Sequence, residues 1–166
     1  MPRHTFLYVE ARWLASGVYL NAAGKRFAAT GETRVSHGTD GWVGDGHIRL
    51  EGPTPLDLRN RYDIAPFPPG SEITTWSASE PGIGRIQGRF AVVGDTILST
   101  WGSADGTHTG VEALTRLSDR RYRARGAAFR GDQRLAAWRI ELTRARRTPS
   151  GRRRATRPSR SGAPAP

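Results

Sequence analysis

The chain has 166 residues, 26 of them basic and 15 acidic, and a formal net charge of +11. That length suits one domain of ordinary size with a tail to spare. With no cysteine, the chain has no disulfide scaffold, no thiolate zinc site and no cysteine nucleophile.

Residues 1–10 contain the apolar run Phe6-Leu7-Tyr8-Val9, but Glu10 and Arg12 interrupt any signal-peptide core. They either extend a first strand or form a short lead-in. No stretch reaches the ~18 apolar residues of a membrane span, so a cytoplasmic location is the expectation. The first strong strand opens with Trp13, within Ala-Arg-Trp-Leu-Ala-Ser-Gly at residues 11–17.

From there, turn signals recur at residues 21–24, 38–41, 52–55, 66–70, 80–82, 94–95, 104–106, 118–120 and 131–132. Nine turns leave ten segments, most at strand spacing rather than helix spacing. The segments alternate. Leu56, Leu58, Tyr62 and Ile64 share one face against Asp57, Arg59, Arg61 and Asp63. Ile86, Gly88, Phe90 and Val92 oppose Arg85, Gln87, Arg89 and Ala91; Ala136, Trp138, Ile140 and Leu142 oppose Ala137, Arg139 and Glu141. Period-two alternation of this kind makes a sheet with one dry face. The expected fold is all-β: a single up-and-down antiparallel barrel of about ten strands over residues 1–143. Closure removes the exposed edges of an open sheet, and mid-strand glycines (Gly31, Gly44, Gly46, Gly88, Gly110, Gly126) suit the bends it requires.

Residues 144–166 hold eight arginines, no acid and no large apolar residue. A segment of that composition cannot offset its ordering entropy and is expected to be disordered. Removing its charge leaves +3 for residues 1–143. The tail, centred on Arg152, Arg153 and Arg154, could contact polyanions without specificity, because it has no aromatics for stacking. Arginine outnumbers lysine 25 to 1, which a GC-rich genome explains without any selection for phosphate recognition.

Trp13 at the head of the first strand and the ten-segment layout of residues 11–143 resemble the lipocalin-like proteins, the calycins. Those proteins begin with Gly-x-Trp, and this chain has Ala11 where the glycine would stand. The resemblance implies that Trp13 packs at a closed barrel end, with an arginine of the last strand, here Arg139 or Arg144, lying over it. A weaker similarity to nitrobindin-like haem barrels rests on Trp13 and Gly17, with Ala15 departing from that pattern. Haem does not carry over, since His37, His47 and His108 all lie near turns and read as solvated strand ends. No metal-ligand spacing, phosphate loop or Gly-x-Ser-x-Gly occurs, so no cofactor or metal is called for.

Barrels of this size can hold a small ligand. Trp42, Trp76 and Trp101 stand among Gly, Ser and Thr, a composition that can line a mostly apolar pocket or simply fill a core. Glu112 lies mid-strand on a face with His108, Gly110, Leu114 and Arg116. If it points inward it needs a partner, with Arg85, Arg89 and Tyr62 as candidates; if outward, it pairs across strands with Arg89 or Arg123. The expected lining is Tyr62, Trp76, Phe90, Trp101 and Glu112. The leading expectation is a binder of a small, largely apolar molecule. The alternatives are an isomerase, cyclase or lyase using an inward carboxylate on the same barrel, and a carrier whose basic tail does the work.

Overall fold

Alternating segments and regular turns build ten strands: β1 (Ala11–Asn21), β2 (Arg26–His37), β3 (Trp42–Leu50), β4 (Leu56–Ile64), β5 (Ile73–Glu80), β6 (Gly84–Val93), β7 (Thr96–Ser103), β8 (His108–Ser118), β9 (Arg121–Arg130) and β10 (Gln133–Arg144). This is a computed structural model, and it describes residues 4–146. The expectation of a disordered, polyanion-binding tail therefore falls, from residue 147 onward, outside the described residues. Each strand pairs antiparallel with its neighbours in sequence, and β1 pairs with β10 to close the barrel. All nine connections fall on the turn signals. In the two-residue links at 94–95 and 131–132, Gly94 and Gly131 take φ of 61° and 54°, left-handed values that a side chain would strain.

Alternation places one face of every strand inside. One end of the barrel is closed by the lead-in, which settles residues 4–10 as a turn rather than a strand. There Trp13 and Tyr122 are fully buried, packed edge to face at 5.4 Å, with Phe6 5.3 Å from Trp13. The Tyr122 hydroxyl pins this plug, accepting N–H bonds from Thr5 (2.9 Å) and Phe6 (3.3 Å). His4 Nε2 faces the Gly94 carbonyl and must donate to it, so Nδ1 accepts from the same hydroxyl at 3.2 Å. Trp13 thus stands at the closed end, with Phe6 and Tyr122 against its ring. Arg139 lies on the outer wall and cannot cover it; Arg144 is its partner in register.

Above the plug lies an apolar layer of Ile97, Leu114, Ala124 and Ile140, all buried. The opposite end is a mouth with a notch. β4 pairs with β5 through Tyr62–Ile64 alone, so the first six residues of β4 have no neighbour on that side. Leu56 and Leu58, expected on the dry face, are exposed there for that reason.

Candidate functional site

The five residues expected to line a pocket all project into the barrel. Tyr62 meets Trp76 edge-on at 4.9 Å, and Trp76 lies 5.9 Å from Phe90. Trp101 stands in register between Gly88 and Gly110. Glu112 also points inward, so the outward pairing with Arg89 or Arg123 does not occur. Its carboxylate accepts a 2.5 Å hydrogen bond from Trp138 Nε1. Arg85 and Arg89, offered as inward partners, lie on the exposed outer wall.

The register explains how a tryptophan two strands away reaches Glu112. One row across the sheet runs Phe90, Ser99, Glu112, Gly126, Trp138, Tyr19, Phe27. Gly126 has no side chain, and the Trp138 ring lies across it: a Cβ there would overlap ring atoms Cε2 and Cζ2. Trp76 covers Gly88 and Trp101 covers Gly110 in the same way. Three tryptophans therefore lie along the wall over glycines of a neighbouring strand instead of projecting straight to the barrel axis. Consistent with that, Tyr62, Trp101, Glu112 and Trp138 point inward yet keep partial contact with solvent.

The electrostatics follow from this enclosure. Burial pushes the Glu112 carboxyl above its usual range, and the Trp138 bond opposes the shift in part. Tyr62 is pushed up as well, first by burial and then by the nearby carboxylates of Glu112 and Glu80. Asn60 donates to the Tyr62 hydroxyl at 3.3 Å. Glu80, the last residue of β5 beside the notch, is raised by partial burial. Tyr62, Glu80 and Glu112 thus form a cluster of titratable groups within an aromatic wall.

Sequence reasoning missed Trp138, Glu80 and Asn60. Trp138 carried a usable signal: a mid-strand glycine, Gly126, lies opposite it and beside Glu112. Pairing partners two strands apart, however, require the register.

The histidines depart from expectation in two cases. His47 is exposed, but His108 is buried at the rim and His37 stacks on Trp42 at 4.2 Å. His108 is held by its turn. Arg130 Nε donates to His108 Nε2 (3.2 Å), so Nδ1 carries the proton and donates to Thr107 Oγ1 (2.8 Å). Thr107 Oγ1 in turn donates to Asp105 (2.9 Å). Ser103 Oγ donates to Asp105 at 2.5 Å and accepts the His108 backbone N–H at 2.9 Å. These bonds, Ser103 first, hold Asp105 down at about 2. The ring of His108 does not touch Ser103 Oγ, so no Ser–His–acid triad forms; the cluster locks the β7–β8 turn.

A depression of about 770 Å³ lies on the outer wall among Asp63, Ser77, Arg85, Gln87 and Arg89, and its floor reaches Trp76, Gly88 and Trp101. It does not include Glu112 or Tyr62. Among the described residues, no group of three or more His, Asp or Glu is placed to hold a metal ion, and no helix is long and apolar enough to cross a membrane.

No family model and no curated protein matches this chain. Among solved structures, it is similar to the S-type phycobiliprotein lyase CpeS from Guillardia theta. That match has a TM-score of 0.61 at 6% identity and covers 86% of this chain and 92% of the other. A putative AttH from Nitrosomonas europaea matches at TM-score 0.27 and 13% identity, over 80% of this chain and 49% of the other. What the chain shares with CpeS is the fold, a closed antiparallel β-barrel.

Proposed function

We propose that this protein is a lipocalin-like barrel that binds a small, mostly apolar molecule in its interior, entering past the β4–β5 notch. The observation that carries this reading is the inward Glu112, set among Tyr62, Trp101 and Trp138 and still in contact with solvent. A purely structural core has little reason to keep a carboxyl group at mid-depth, because burying one costs several kcal/mol unless it is paired or neutralised. Apolar walls supply affinity at roughly 25 cal/mol per Å² of buried surface, and one or two polar groups set orientation. The fold shared with a phycobiliprotein lyase is compatible with the same reading.

A second reading, catalysis on the same barrel, is favoured by the raised carboxyl of Glu112 close to Tyr62. A carboxylic acid in a low-dielectric site is suited to proton transfer in an isomerase, cyclase or lyase reaction.

Both readings require an occupied interior. Tryptophan fluorescence titrated with fatty acids, polyenes, biliverdin and arylalkyl amines should show saturable quenching with at least one class. Binding should weaken at least tenfold in Gly110→Val, where the new side chain drives Trp101 toward the axis. If no probe changes the fluorescence or the melting temperature up to its solubility limit, the interior is not a binding site.

A further inference from the structure

The charge lining the barrel identifies the kind of ligand more closely. Resting on the binding reading above, we infer that the ligand carries a positive charge, a protonated or quaternary amine on an apolar body, with Glu112 as its counter-ion and the tryptophan wall as its cage.

The argument is an inventory of the inward-facing charges. At mid-depth and at the notch these are carboxylates, Glu112 and Glu80, and both act on Tyr62. The inward-facing cations lie elsewhere, at the two ends of the barrel. Arg116 sits at the plugged end, ion-paired with Asp119, and is separated from Glu112 by the buried Leu114 layer. Arg144 shares the plugged end, in register with Trp13, and Arg130 stands at the rim, where its Nε donates to His108 Nε2. Among the described residues, no cation forms an ion pair with Glu112 or Glu80. The flanks of Glu112 are Ser99 and Gly126, neither of which shields the carboxylate from the interior.

The surroundings of that carboxylate complete the chemistry. Trp138 donates to one oxygen, leaving acceptor capacity on the other. Trp76, Trp101, Trp138, Tyr62 and Phe90 present ring surfaces, whose negative faces attract a desolvated cation. At mid-depth an anionic ligand would meet the Glu112 carboxylate, with the inward-facing cations confined to the two ends of the barrel. A neutral ligand would leave Glu112 uncompensated. An ammonium group supplies the missing charge, and its apolar body occupies the aromatic wall.

The test compares three probes with one body and different heads: 4-phenylbutylamine, 4-phenylbutanol and 4-phenylbutyrate, measured with the full chain at pH 8. The expected result is tenfold or greater preference for the amine over the alcohol, with the acid weakest. Glu112→Gln should remove the preference while keeping alcohol affinity within about twofold. Glu141→Gln, on the outer wall, should change nothing. Equal or tighter binding of the alcohol or the acid overturns the inference, as does a preference that survives Glu112→Gln. The wild-type ranking decides the matter even if that variant fails to fold. Binding without preference for the amine defeats this inference alone; no binding by these or any of the wider probes defeats the binding reading, and this inference with it.

Discussion

Glu112 and Trp138 are a pair in which each residue limits what can be done to the other. Burial raises the carboxyl, which is then destabilising when ionised. The sign follows: wild-type protein loses stability as pH rises from the ordinary carboxylate range through the raised value, and the loss is complete above it. Glu112→Gln, which retains an acceptor for Trp138, should therefore be more stable than wild type by about 1 kcal/mol at pH 8, or roughly 3 °C in Tm. The gap should close by pH 4, and melting curves at the two values check it. Trp138→Phe removes the indole donor to this carboxylate and should cost about 1–3 kcal/mol at pH 8. In the double variant the two effects should not add, a coupling that a double-mutant cycle in urea measures. From the sequence, Glu112 was an open choice between inside and outside. Its own strand alternates equally well either way, with Glu112, Leu114 and Arg116 on one face and Val111, Ala113 and Thr115 on the other.

At the scale of elements, the mid-strand glycines of β6, β8 and β9 have a defined task. Gly88, Gly110 and Gly126 each receive a tryptophan ring from the next strand. Any Cβ there must displace the ring, so Gly126→Val should cost about 1–3 kcal/mol by overpacking, read as a lower urea midpoint. The glycines were legible as bends; their pairing with Trp76, Trp101 and Trp138 was not, because it depends on which residues register across strands. The β7–β8 turn makes a pH prediction of opposite sign. Asp105 is held well below its ordinary value of 3.8, so its stabilisation is present above pH 4 and is lost as pH falls toward 2. Asp105→Asn should lower the melting temperature at pH 7, and the difference should vanish near pH 2. This cluster explains why His108 is buried despite its position beside a turn: its ring bonds are satisfied locally by Thr107 and Arg130.

For the whole molecule, closure of β1 on β10 and the plug of residues 4–10 leave one end sealed and the other notched. The plug rests on Phe6, packed between Trp13 and Tyr122. Phe6→Ala should cost about 3–5 kcal/mol and open the sealed end, detectable as faster exchange of the Thr5 and Phe6 amides.

Several properties of the molecule were determined locally, and so could be read along the chain. Turn chemistry set the nine connections, and period-two alternation set the dry face. Together they imply ten antiparallel strands, and the cost of exposed edges implies closure. Three others were decided only in three dimensions. The notch opens because β4 and β5 meet over three residues, which no property of either strand alone predicts. The lead-in is a plug because Tyr122, more than a hundred residues away, offers its hydroxyl to three of the first residues. Glu112 faces inward because closure puts that side of β8 on the inside, where Gly126 lets Trp138 reach it. Each depends on contacts between residues far apart in sequence, and such contacts exist only once strand order and register are set.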